Sequence, residues 1–126
     1  MNDEVLGKTG LKISRIGLGG GQVGDGALSE ADAELLLRGT LDSGVTIIDT
    51  ARGYGLSEER IGRYLAPFAD QYTLITKVGY GIEGTPDWTY DAVQRGIEEA
   101  LSTMQRETID VASQTMQCIE RHFTHQ

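Results

Sequence analysis

The sequence predicts an α/β protein built on a parallel sheet, and three observations carry that prediction. β-Branched apolar runs alternate with stretches whose apolar residues recur at helical spacing. The alternation repeats at roughly 30-residue intervals. Turns rich in glycine separate the elements, and the chain spends 17 glycines, the last at Gly96. Parallel neighbours need a long crossover connection, which an intervening helix supplies. The open doubly wound sheet and the closed eight-stranded barrel both satisfy the pattern.

Glu4-Val5-Leu6 and Leu11-Lys12-Ile13 flank Gly7-Lys8-Thr9-Gly10, which predicts a small hairpin. Arg15-Ile16-Gly17-Leu18 forms a short strand that runs into the glycine-rich stretch 19–26. Ser29 is placed to N-cap a helix, with Glu30 and Asp32 suiting the positive end of its dipole. Ala33, Leu36, Leu37, Thr40 and Leu41 give that helix its inner face, and Gly44 ends it as a C′ glycine. Val45-Thr46-Ile47-Ile48 is the next strand and ends at Asp49. After the loop 50–56, Ser57 is the expected cap of a second helix, which carries Ile61, Tyr64 and Leu65 and stops at Pro67. Tyr72-Thr73-Leu74-Ile75-Thr76 ends at Lys77, and a loop holding Gly79, Gly81, Gly84 and Pro86 follows. Thr89 or Asp87 caps a third helix bearing Val93, Ile97, Ala100 and Leu101, and Ile109-Asp110-Val111 begins a fourth strand.

A length of 126 residues bounds the chain to one domain or part of one. The formal charge of −8, with no basic stripe, argues against nucleic acid or a membrane surface as partner. The single cysteine, Cys118, cannot close an internal disulfide, which predicts a reducing compartment. Apolar runs fall short of the roughly 20 residues of a membrane span. Met1-Asn2-Asp3-Glu4 lacks the basic start of a secretory signal, so a cytoplasmic setting is expected. No metal-ligand pattern is read.

In either architecture, chemistry belongs at the C-terminal ends of the strands. Asp49 and Lys77 end two of them, and Tyr54 lies five residues beyond Asp49. Taken singly these are ordinary: a turn aspartate, a packing tyrosine, a solvated lysine. Together they make a proton-donor assembly. A phenol ordinarily titrates near pH 10, so donating at neutral pH requires its phenolate to be stabilised. A lysine beside it does that, and an aspartate holds the lysine in place, giving a tuned general acid.

Leu6-Gly7-Lys8-Thr9-Gly10-Leu11-Lys12-Ile13-Ser14 and Ile16-Gly17-Leu18-Gly19 resemble the opening of the aldo-keto reductases. So do Gly44-Val45-Thr46-Ile47-Ile48-Asp49-Thr50-Ala51-Arg52-Gly53-Tyr54-Gly55, Ser57-Glu58-Glu59-Arg60-Ile61-Gly62 and Ile75-Thr76-Lys77-Val78-Gly79. The resemblance covers about residues 4–111, and it chooses between the two architectures. It implies part of a (β/α)8 TIM barrel: the N-terminal β-hairpin, three βα units and the start of a fourth strand. It also implies NADP(H)- or NAD(H)-dependent reduction of a small aldehyde or ketone to an alcohol. Tyr54 would be the acid, Lys77 the tuning cation and Asp49 its partner. Gly19 and Gly20, with Asp49, would approach the nicotinamide end of the cofactor.

The family's pattern then departs. Its histidine at the end of the fourth strand, about five residues past Asp110, falls at Thr115, and the available histidines, His122 and His125, read as tail residues. Val111-Ala112-Ser113-Gln114 is too polar for a buried strand interior. Residues 1–111 therefore read as the N-terminal part of a barrel and 112–126 as a divergent tail with a short helix over 113–121. A complete barrel takes about 250 residues, so the parent sequence reads as interrupted by truncation or a shifted frame. Such a chain is expected to lack turnover alone and to self-associate through an exposed sheet edge. Two alternatives remain. One is a non-catalytic regulatory or binding barrel piece. The other is a Rossmann domain, in which Gly19-Gly20-Gly21-Gln22-Val23-Gly24 would be the phosphate loop and Asp49 the ribose acid. Trp88 reads as packing, Arg52 as solvated and Cys118 as inert.

Overall fold

A computed structural model describes residues 3–114. Its elements, in order, are strands β1 (Asp3–Val5), β2 (Lys12–Ser14) and β3 (Leu18–Gly19), helix α1 (Glu30–Asp42), strand β4 (Ile47–Asp49), helix α2 (Ser57–Leu65), strand β5 (Thr73–Lys77), helix α3 (Tyr90–Thr103) and strand β6 (Val111–Ser113). A 3-10 turn (Gln22–Gly24) precedes α1, and a second (Ala66–Gln71, with Pro67 near its start) follows α2. β3, β4, β5 and β6 lie in that order in one parallel sheet, each crossover after β3 made by a helix. This is the α/β arrangement of a partial barrel.

β1 and β2 pair antiparallel as a separate hairpin. The hairpin is tied to the sheet where β4 begins: Ser14 N donates to Thr46 Oγ1 at 2.8 Å, and Thr46 N donates to Ser14 Oγ at 2.9 Å. A cleft of about 400 Å³ separates hairpin from sheet there, lined in part by Lys12, Thr46, Tyr72, Arg106 and Asp110. That cleft opens at the N-terminal ends of the strands, away from Asp49 and Lys77.

The helix-facing side of the sheet builds the core. Ile48 and Leu74, which are register partners, are fully buried against Leu37, Ile61, Leu65, Ala100 and Met104. Burying a side chain of this kind stabilises by about 1.5–3 kcal/mol. On α1, Ala33 and Leu37 are buried, whereas Leu36 stays 39% exposed. The buried stripe of α3 is Ala92, Gly96 and Ala100, small residues that let the helix lie close to the sheet, and Met104 is buried just past its end; Val93, Ile97 and Leu101 flank the stripe, half-buried.

Several local expectations hold. Ser29 Oγ accepts from Asp32 N, Thr89 Oγ1 accepts from Ala92 N, and Gly44 adopts φ +91° just past the end of α1. Others are corrected. The strand expected over 15–18 is only Leu18–Gly19, and Ile16 is 64% exposed outside it. Ser57 does not cap α2. It is the helix's first residue, and its hydroxyl is already engaged with Thr50 Oγ1 at 2.7 Å in the interior. Ala112 and Ser113, too polar for a buried interior, nevertheless pair with Thr76 and Lys77 as part of β6. β6 borders the sheet among the described residues, and Ala112 is exposed, so the polarity is tolerated. Thr115, Cys118, His122, His125 and most of the helix expected over 113–121 lie outside the described residues.

Candidate active site

Side chains alternate across a strand. Lys77 therefore shares the face of Ile75, the register partner of Asp49, while Leu74 and Thr76 face the helices. Asp49 and Lys77 thus project together from the C-terminal edge of the sheet, on the side away from the helix layer. Lys77 Nζ donates to Asp49 Oδ1 at 2.8 Å and to the carbonyl oxygen of Thr50 at 3.0 Å. The ring centroid of Tyr54 lies 5.0 Å from the same nitrogen. The structure brings these three residues together.

The ammonium is the anchor. Burial works hardest on Lys77 and disfavours its charge. The hydrogen bond and charge of Asp49, and then the Tyr54 phenol, outweigh burial and hold Lys77 above the ordinary lysine value. It is a permanent cation at neutral pH, with its side chain 19% exposed. A fixed positive charge beside a phenol stabilises the negative charge that develops as the phenol gives up its proton. What the arrangement can do is donate a proton to a basic oxygen and take it back.

Tyr54 stands on a loop pinned from several directions. Thr50 N donates to Ile75 O at 2.8 Å, which continues the sheet pairing beyond β4. Ser57 N donates to Tyr54 O at 3.0 Å, and Leu56 N to Gly24 O at 3.0 Å. The Gly24 backbone is pressed so close that a Cβ there would overlap the Tyr54 carbonyl. Gly24 therefore serves this loop. It lies in the 3-10 turn well before the α1 cap at Ser29, which removes the helix-opening glycine that a Rossmann phosphate loop needs.

Gly19 and Gly20 differ. Gly19 is exposed at the end of β3, beside Asp49, and a Cβ there would meet nothing within 4 Å. Gly20 is buried. Its N–H donates to Asp49 O at 2.7 Å, and a Cβ would crowd Ser57 Oγ and Thr50 Oγ1, each at 2.8 Å. Open surface at Gly19 leaves room for a flat ring against the strand end; Gly20 shapes the loop behind it.

The layer beneath the site escaped the sequence reading. Glu58 is buried, accepts from Thr76 Oγ1 at 2.7 Å, and has its pKa pushed up, chiefly by that burial. An acid in the first turn of a helix reads as a dipole partner, and only the alternation of β5 would have pointed Thr76 at it. Arg52, expected to be solvated, pairs with Glu99 of α3 at 3.0 Å and ties the Tyr54 loop to that helix. Trp88 packs, its ring stacked on Tyr80 at 5.6 Å between centroids. Among the described residues, no cluster of His, Cys, Asp or Glu could hold a metal ion, and no helix is long and apolar enough to cross a membrane.

Known proteins share both the sequence and the fold. The aldo/keto reductase family matches residues 15–114. L-galactose dehydrogenase of Arabidopsis thaliana is 35% identical over 114 residues, a match covering 84% of this chain and 35% of that protein. An aldo-keto reductase structure from Pseudomonas aeruginosa superposes with a TM-score of 0.78 at 32% identity, over 87% of this chain and 45% of that one. One from Klebsiella pneumoniae, solved in complex with NADPH, gives a TM-score of 0.68 at 28% identity, over 82% of this chain and 35% of that one. The chain thus spans about a third of the length of the curated relative, 35% in the Arabidopsis case. With the family match running from the end of the hairpin through β6, most of its length, the chain belongs to the aldo-keto reductase family.

Proposed function

We propose that this chain supplies the proton-donating half of an NAD(P)H-dependent reduction of a small aldehyde or ketone to an alcohol, and that turnover requires the strands that follow this stretch in longer relatives. The observation that carries the reading is the convergence of Asp49, Tyr54 and Lys77 at one end of the sheet. Tyr54 gives its hydroxyl proton to the carbonyl oxygen. Lys77 stabilises the phenolate left behind. Asp49 and the Thr50 carbonyl hold the ammonium in position. The nicotinamide, when bound, supplies the hydride that reaches the carbonyl carbon. The open backbone at Gly19, next to Asp49, fits the nicotinamide end of the cofactor, with Gly20 shaping the turn behind it.

The test is a graft in which residues 15–114 replace the matching stretch of the Arabidopsis L-galactose dehydrogenase. The folded chimera, given NADPH and 4-nitrobenzaldehyde, is expected to turn over and to lose at least about 100-fold in kcat on Tyr54→Phe. A folded chimera that binds NADPH without turnover, or turns over equally well with Tyr54→Phe, refutes the reading. The first of those results would favour a binding or regulatory piece of a barrel instead. Assayed alone, the 126-residue chain is expected to be without measurable turnover.

A further inference from the structure

We propose that Tyr80 is a positioning residue: its hydroxyl, held in place by the stack on Trp88, grips the Gly53 amide and thereby sets Tyr54 over Lys77. The proposal rests on the reading that Tyr54 gives the proton.

The loop from Val78 to Thr89 is a built object. At its base Trp88 N donates to Gly79 O, which closes the loop on itself. Across its middle, Gly81 N donates to Asp87 Oδ1 at 3.0 Å. Trp88 sits at φ +64°, a left-handed conformation that a bulky side chain adopts only where its surroundings impose it. That conformation lays the indole against the Tyr80 ring, 28° from parallel. Tyr80 thereby loses most of its freedom to swing.

The hydroxyl of this fixed ring accepts the Gly53 N–H at 3.1 Å. Gly53 immediately precedes Tyr54 and has no other tie to the rest of the molecule given by its backbone N–H. A Cβ at Gly53 would come within 3.0 Å of the Tyr80 oxygen, so the two loops are in close apposition. Gly53 is exposed, so water can satisfy its amide when the hydroxyl is removed, and little stability is lost. What is lost is position. Ser57 and Leu56 still anchor the loop behind Tyr54, and the Tyr54 N–Ala51 O bond and the Arg52–Glu99 pair still hold it in front, but without the cross-loop bond at Gly53 the phenol can drift from the ammonium.

Tyr80→Phe keeps the stack and deletes the grip, and two NMR measurements on the full chain read the consequence. Amide exchange at Gly53 is expected to speed at least about tenfold. In a ¹³Cε titration of its three lysines, the Lys77 midpoint is expected to fall by about 0.5 pH unit while Lys8 and Lys12 stay put. Tyr54→Phe, which removes the phenol itself, sets the full size of that fall. Faster exchange with an unmoved Lys77 midpoint would make Tyr80 merely structural and overturn the proposal, as would unchanged exchange. Neither readout uses turnover, so a failed reductase assay and a failure of this proposal appear in different experiments.

Discussion

Arg60→Met tests what holds the first crossover loop in place. The Arg60 guanidinium is 2% exposed and donates to three backbone carbonyls of the stretch between β3 and α1: Val23 O at 2.7 Å, Asp25 O at 2.8 Å and Leu28 O at 2.7 Å. It also meets Glu30 Oε2 at 2.8 Å. Methionine keeps the apolar stem and removes every donor. Val23 is fully buried, so its carbonyl is left without a partner, which costs about 1–3 kcal/mol. Water reaches the Asp25 and Leu28 carbonyls more easily, and losing the bonds there costs about 0.5–1 kcal/mol each. Glu30 is open to solvent and adds no reckonable amount. The sum is about 3 kcal/mol, a large part of the stability of a domain this size. Urea unfolding followed by circular dichroism measures it. Arg60→Lys should recover little, because a single ammonium cannot replace a planar fork that spans three carbonyls. A loss below about 1 kcal/mol for Arg60→Met, or full rescue by lysine, would refute the reasoning.

Gly24→Ala is expected to destabilise by several kcal/mol, about 3 or more, and to displace the Tyr54 loop, because the added methyl overlaps the Tyr54 carbonyl. Gly26→Ala, whose Cβ meets nothing within 4 Å, should be neutral in the same thermal melts. Burial raises the Glu58 pKa above its ordinary 4.5, so the stability linked to its protonated form is complete below that value and is lost as pH rises through the folded one. Glu58→Gln should therefore gain on the wild type as pH rises above the ordinary 4.5 in paired denaturation curves, and a constant difference would count against the buried-acid assignment. Lys77 is raised above its ordinary 10.5, so its contribution is complete below that pH and fades as pH climbs through the folded value. The stability gap between wild type and Lys77→Met should accordingly stay flat from neutral pH to about 10 and close above it, as alkaline unfolding can measure.

Much of the fold is legible because its determinants are local. Ser29 and Thr89 cap helices through bonds that span three residues, and Gly44 takes the left-handed conformation that a helix end asks for. Asp49, Tyr54 and Lys77 are legible for a related reason: strand ends are visible in the pattern, and strand ends converge. Ser57 misleads because the same hydroxyl has two possible partners, and the distant one, Thr50, wins once β4 and α2 have packed. Glu58, Arg60 and Tyr80 are illegible because their partners lie 18, 30 to 37 and 27 residues away. In sequence, Glu58 and Arg60 look like the charged residues of any exposed helical turn.

The alternation of β5 separates two tasks that the site needs done at once. Lys77 points away from the helices and keeps its charge because Asp49 and the Thr50 carbonyl, both supplied by the neighbouring strand's end, surround the ammonium. Thr76, one residue earlier, points into the helix layer and bonds Glu58, fixing α2 against the sheet. Since α2 begins three residues after Tyr54, whatever fixes α2 also fixes one end of the loop on which the phenol stands. The cation is thus placed by the strands, and the phenol by the helix and loops packed behind them. Substitutions in the helix layer should move Tyr54 while leaving the Lys77–Asp49 pair intact, which is why the Lys77 titration reads the position of the phenol rather than the integrity of the sheet.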